Sequence, residues 1–220
     1  MSDNDSNFGE IKIAFDNVYK KDVDNIPWTR REWLDDSKLP IFNYIQNQNL
    51  RPQSLLDYGT GTGHLAIAIK EQFDIPKIVA ADITNNCIDR EQLKYFGIDF
   101  IQALQPKDVS GKYDIILCWA VFHYLTKNQS IDFLTQFSKM LNKNGTLILS
   151  AWSSHDETFK GKCERISLNI NLPMYSDRIP QDKKVLNRLG FNIVTKGNLV
   201  HNANGYKRLL HFCFLKQTNN

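Results

Sequence analysis

The chain has 220 residues, 42% hydrophobic and 23% charged, with a formal net charge of +3 spread among interspersed acids and bases, which suits one sizeable core and gives no reason for electrostatic capture of nucleic acid. Four cysteines, Cys87, Cys118, Cys163 and Cys213, lie too far apart for a local zinc pattern and are too few for a disulfide scaffold, so they read as reduced buried thiols and no metal site is expected. No apolar run nears the roughly 20 residues that cross a bilayer, and MSDNDSNFGE lacks the features of a secretory signal, so a cytoplasmic protein without a membrane partner is expected.

After this polar tip, Ile11, Phe15 and Val18 predict one apolar face of a helix, which Ile26-Pro27-Trp28 ends. A second helix is predicted from Ser37 or Leu39 to about Gln48, with Ile41, Phe42 and Ile45 inward. Leu55 and Leu56 then close an apolar strand, with Asp57 at its carboxyl end. Gly59, Gly61 and Gly63 form a turn, and Leu65 to Ile69 open a helix. Without a Cβ, backbone amides approach a ligand closely, although a tight connection that binds nothing would use the same glycines. Lys77 to Ala81 is the next strand, ending in Asp82, 82 − 63 = 19 residues beyond the last glycine. A carboxylate there can accept hydrogen bonds from both hydroxyls of a ribose, the arrangement of dinucleotide-type folds; a solvated aspartate at a strand end is the other reading.

A short helix near Asp89 to Phe96 leads to a third strand in FIQALQP, from Phe100, and a fourth in KYDIILCWAVFHYL, from Lys112. Ile131 to Leu141 is an amphipathic helix with Asn144 and Gly145 as its exit turn, followed by a fifth strand ending at Ser150. Trp152 to Pro180 is irregular and is expected to form a cap over the substrate. Phe191 to Thr195 and Arg208 to Leu215 are predicted strands, an antiparallel pair joined by a polar connection with Asn202, Asn204 and Gly205. Alternating strands and helices imply an α/β fold with a parallel sheet whose ligands bind beyond the carboxyl ends of the strands.

The glycine turn narrows the ligand. A pyrophosphate fingerprint needs glycine at its first, third and sixth positions. Counting from Gly59, the sixth is His64, and the pattern is Asp-x-Gly-x-Gly-x-Gly. Asp57 repels a pyrophosphate, and either organises the turn or holds an ammonium group. A zwitterionic nucleoside is favoured over NAD.

From roughly Ser54 to Ser150 the chain resembles the class I S-adenosylmethionine-dependent methyltransferases, particularly the compact family that acts on small molecules. The resemblance implies a doubly wound, Rossmann-like α/β fold, a mostly parallel seven-stranded sheet with a C-terminal antiparallel hairpin. It implies an N-terminal helical lid over residues 1–50 and a core over 51–220 within a single domain. The cofactor would be S-adenosyl-L-methionine, released as S-adenosyl-L-homocysteine. Asp57, Gly59, Gly61 and Gly63 would shape the pocket for the methionine moiety, Asp82 would hold the ribose, Ile83 would pack on the adenine face, and Cys118 would line the cofactor. Relatives often place an acid after the third strand to meet the adenine amino group. None is in register here, so either the Gln102 amide or the backbone near Ala103 and Leu104 takes that place. Tyr19 and IPWTRREW loosely resemble the entrance segment of thiopurine and tellurite methyltransferases. Tyr19 and Trp28 would then shield the sulfonium, and Arg30 or Arg31 would contact the methionine carboxylate. A surface anchor for the first helix accounts for the same residues.

His123 is the candidate base, since it follows the fourth strand and an imidazole titrates near neutrality; a hydrogen-bonded histidine at a helix start is the other reading. Trp119 would wall the substrate pocket or pack in the core, and Trp152 and His155 would face substrate or pack a loop. The expected activity is in-line methyl transfer to a small-molecule acceptor, driven mainly by positioning, in a monomer or homodimer. A nucleic-acid amino methyltransferase would carry an Asn-Pro-Pro-Tyr-like clamp where this chain has Cys118-Trp119-Ala120-Val121. The rival from another class is a regulatory or scaffolding protein that keeps the cofactor fold without turnover.

Overall fold

The computed structural model describes residues 3–21, 39–157, 159, 164–166, 172–203 and 206–218. The chain divides into two compact units, Met1–Tyr113 and Asp114–Asn220.

In the first unit, α1 (Asp3–Lys21) buries Phe8, Ile11 and Tyr19. The predicted break at Ile26-Pro27-Trp28 lies outside the described residues. Helix α2 (Pro40–Asn47) starts on a proline, whose missing N–H costs nothing in a first turn, and buries Ile41, Phe42 and Ile45 as their spacing predicts. Strand β1 (Ser54–Tyr58), α3 (His64–Gln72), β2 (Lys77–Asp82), α4 (Arg90–Tyr95) and β3 (Ile98–Gln102) follow. Every residue of β1 is buried, as are those of β2 after Lys77, the continuous burial of parallel strands covered on both faces. Strand β2 pairs in parallel with both neighbours, Asp57 lying opposite Ala80 and Asp82 opposite Gln102, so all three candidate polar side chains stand at the carboxyl ends of adjacent strands.

The second unit continues with β4 (Tyr113–Cys118), α5 (Lys127–Met140), β5 (Leu141–Trp152), β6 (Glu164–Ile166), β7 (Pro173–Tyr175), α6 (Lys183–Arg188), β8 (Phe191–Ala203) and β9 (Tyr206–Gln217). Helix α5 starts four residues before the predicted Ile131, because Thr126 and Gln129 form a reciprocal cap: Thr126 Oγ1 accepts from the Gln129 amide at 3.3 Å and Gln129 Oε1 from the Thr126 amide at 2.8 Å. Asn144 and Gly145 are not a separate exit turn. They lie inside β5, with Asn144 in the left-handed region at φ +60°.

The C-terminal hairpin is antiparallel as expected but much longer. Residues assigned to a polar connection pair instead, Gly197 with Phe212 and Asn198 with His211, since ladder hydrogen bonds need only backbone groups. A register shift between Ile193 and Thr195 leaves Val194 as an extra residue, half exposed. The irregular stretch contains the antiparallel pair β6 and β7, with Pro173 at the first position of its strand, where its missing N–H is tolerated. Helix α6 was not predicted. It is short, capped by the Asp182 side chain accepting from Lys184 N at 2.8 Å, and buries Leu186 alone.

The strand order is β3-β2-β1-β4-β5-β9-β8, a mixed seven-stranded sheet of the α/β, Rossmann-like kind. Among the described residues no helix is long and apolar enough to cross a membrane.

Candidate active site

The glycine turn is tied to both strands that flank it. The Gly59 and Thr60 amides donate to Ala81 O at 2.7 and 3.0 Å, fixing the turn on β2. Thr60 Oγ1 donates to Asp57 Oδ2 at 2.6 Å, so Asp57 organises the turn from the end of β1. Burial pushes the Asp57 carboxyl up to about 7, against the Thr60 hydrogen bond and with help from the Asp82 charge. Two glycines are required for different reasons. Gly61 has φ +58° and nothing within 4 Å of where a Cβ would stand, leaving its backbone open to close approach. At Gly63, with φ +81°, a Cβ would fall 2.8 Å from Leu93 Cδ2, so close packing of the turn on α4 demands glycine there.

Asp82, nearly buried, accepts from Gly61 N through Oδ2 at 2.8 Å and from Thr84 N through Oδ1 at 3.1 Å. Burial pushes its carboxyl up to about 6, opposed by the amides of Thr84, Gly61 and Ile83. A carboxylate offers about four acceptor positions, so acceptor capacity is left for a ribose hydroxyl. The Gln102 amide nitrogen donates to Ile83 O at 3.1 Å, and its carbonyl oxygen is left as an acceptor. Ile83 is half-buried and Leu104 exposed. Tyr19 is buried against Cys87, whose thiol donates to Gly61 O at 3.1 Å, which brings α1 to the turn.

Sequence reasoning missed Thr60, Thr84, Cys87 and Asp16. The Asp57-x-x-Thr60 spacing signals a local hydrogen bond. Nothing in the sequence links Asp16 to Thr84, 68 residues away. Trp28, Arg30 and Arg31 lie outside the described residues.

In the second unit Cys118 is fully buried at the end of β4 and Trp119 is half-buried. Ala120 then takes φ +57°, unusual for a residue with a Cβ, and its amide donates to the buried Ser150 Oγ at 2.8 Å. The tight helical turn Phe122–Tyr124 follows and buries His123. The His123 ring centroid stands 4.2 Å from that of Tyr124 and 5.8 Å from that of Trp152, and β7 packs on the same turn. His123 and Trp152 are thus brought together, whereas His155 is exposed, its amide donating to Ser153 Oγ at 3.1 Å.

A family model described as a methyltransferase domain matches residues 30–202, most of the chain. The chain belongs to the methyltransferase domain family. Over 111 residues this methyltransferase domain is 27% identical to the malonyl-[acyl-carrier protein] O-methyltransferase of Anoxybacillus flavithermus, covering 49% of this chain and 41% of that protein. Over 106 residues it is 29% identical to the ribosomal protein L11 methyltransferase of Lactobacillus johnsonii, covering 46% of this chain and 32% of that one. The chain therefore spans less than half the length of these two curated relatives. Among solved structures, the 1,6-didemethyltoxoflavin-N1-methyltransferase of Burkholderia thailandensis superposes with a TM-score of 0.67 at 16% identity, covering 96% of this chain and 88% of that one.

The structure of that Burkholderia enzyme holds S-adenosylhomocysteine, and the residues present here fit an S-adenosyl cofactor. The backbone beside Gly61 is open, and Asp82 keeps acceptor capacity at the carboxyl end of β2.

Proposed function

We propose that the chain transfers a methyl group from S-adenosyl-L-methionine to a small-molecule acceptor, with catalysis mainly by positioning. The observation that carries this reading is the Gly61 amide seated on the Asp82 carboxylate, which sets an open glycine backbone beside a ribose acceptor. Asp82 holds the ribose hydroxyls, Ile83 lies along the adenine, and the Gln102 carbonyl or the backbone at Ala103 and Leu104 accepts from its amino group. When bound, S-adenosyl-L-methionine supplies an electrophilic methyl on a sulfonium. The chain aligns the acceptor with that methyl and excludes water, and such alignment supplies up to about 7–11 kcal/mol of a barrier in well-oriented systems.

Support for a small acceptor comes from the grouping of the buried His123 with the half-buried Tyr124 and Trp152, aromatic surfaces suited to a compact, partly apolar molecule. For a hydroxyl acceptor, His123 would take the hydroxyl proton on a ring nitrogen, while the bound sulfonium would supply the methyl and leave as the neutral thioether S-adenosyl-L-homocysteine. His123→Gln is then expected to lower kcat by about 10²-fold or more and to abolish the acidic limb of the pH–rate profile. Identical profiles in variant and parent would remove His123 as the base.

The test of the whole reading is isothermal titration with S-adenosyl-L-methionine, then radiolabelled methyl transfer to a panel of small phenols, acids, amines and thiols beside carrier-protein and ribosomal-protein acceptors. Labelling confined to the macromolecules would overturn the small-molecule assignment. Binding with no transfer to any acceptor would favour a regulatory or scaffolding role.

A further inference from the structure

Two chains of contacts leave one face of α1 and meet at the same pair of groups. Asp16 Oδ1 accepts from the Thr84 hydroxyl and, at 2.8 Å, from Asn86 Nδ2, while its Oδ2 is paired with Lys12. Thr84 is fully buried, and its amide is the donor to Asp82 Oδ1 at 3.1 Å. Three residues along the helix, and so on the same face, Tyr19 donates to the Cys87 thiol, which donates to Gly61 O at 3.1 Å. Gly61 and Asp82 close the circuit through their own 2.8 Å hydrogen bond. Burial pushes the Asp16 carboxyl up, but the hydrogen bonds from Lys12 and Thr84 and the charges of Lys12 and Lys20 hold it below the ordinary carboxylate range, so at neutral pH it is a charged acceptor.

A helix anchored for stability alone would need only its apolar contacts, which Phe15, Val18 and Tyr19 supply against Cys87 and Ile88. The polar contacts instead end on the two groups assigned to the nucleoside. We propose that Asp16 is a positioning residue for the cofactor, acting through Thr84 on Asp82, so that docking of α1 and occupancy of the nucleoside site favour each other. The inference rests on the proposed cofactor site and assigns no new chemistry. Its physical content is reciprocity: whatever factor docked α1 adds to nucleoside affinity, the nucleoside adds to docking.

Cys87 reports docking directly, being buried under Tyr19. The experiment alkylates the full chain with iodoacetamide, follows the Cys87 peptide by mass spectrometry, and measures S-adenosyl-L-homocysteine affinity in parallel. The nucleoside is expected to slow Cys87 alkylation in the parent by about fivefold or more. Asp16→Asn and the isosteric Thr84→Val are expected to weaken nucleoside binding by a similar factor and to shrink the protection, whereas Thr84→Ser, which keeps the hydroxyl, behaves as the parent. A helix with a merely structural role would raise alkylation in the variants and leave the effect of the nucleoside unchanged. Parent-like affinity and protection in Asp16→Asn, or Thr84→Ser failing as Thr84→Val does, overturns the coupling and leaves the cofactor assignment standing. A parent that does not bind the nucleoside overturns the proposed function itself, and the coupling with it.

Discussion

Replacing Asp82 with alanine weakens S-adenosyl-L-methionine binding by well over tenfold, on the order of 10²-fold, because charge-assisted bonds to a ribose diol are about twice as strong as neutral ones. The carboxylate does two things at once. It presents its remaining acceptor capacity to the ligand, and it satisfies the Gly61 and Thr84 amides that shape the surface where the ligand lies. Alanine removes both and leaves two amide donors without the acceptor they had, each costing about 1–3 kcal/mol where it stays buried. The variant is therefore less stable as well as weaker in binding, and circular dichroism and thermal unfolding establish that the material titrated is folded. Calorimetric affinity within about twofold of the parent in a folded Asp82→Ala protein, far inside the range that loss of charged hydrogen bonds produces, would end the ribose assignment.

Most of what positions this site was legible, because local rules govern it. The run from Leu55 to Ile69 joins an apolar strand to a helix through three glycines, and Asp82 follows at the distance one crossover imposes. In the same way, the inward face of α2 was readable from Ile41, Phe42 and Ile45. Misreadings occurred where a backbone partner overrides side-chain polarity. Residues 196–203 look like a connection, yet β9 supplies their hydrogen bonds, and β8 runs through them. Thr126 and Gln129 hid the start of α5 because a capping box is polar and precedes the apolar periodicity. The α1 network was out of reach for a deeper reason. Asp16, Thr84 and Cys87 become partners only once β1 and β2 bring the loop after Asp82 under the first helix, and no periodicity encodes that meeting.

A second large effect is expected from pH, and Asp57 is its main source. Burial holds the Asp57 carboxyl up to about 7 and that of Asp82 up to about 6, whereas an unfolded chain returns both to the ordinary range near about 4. Between those limits the folded protein without ligand binds more protons than the unfolded one. Their contribution to stability is thus fully present below the unfolded value and is lost as pH rises through about 7. The melting temperature of the ligand-free parent should accordingly fall from about pH 5 to about pH 8. Asp57→Asn, whose amide oxygen still accepts from the Thr60 hydroxyl, should flatten most of that slope. The ligand reverses the sign. A bound sulfonium or ammonium favours the ionised carboxylates, so affinity for S-adenosyl-L-methionine rises from about pH 5 to about pH 7 and binding releases protons in that window. Calorimetry at about pH 6.5 in two buffers of different ionisation enthalpy counts those protons, and Asp57→Asn should release fewer than the parent. Equal proton release and parallel melting curves for parent and Asp57→Asn would show that Asp57 is already ionised in the folded chain, and the turn would then be held by a charged carboxylate at every pH tested.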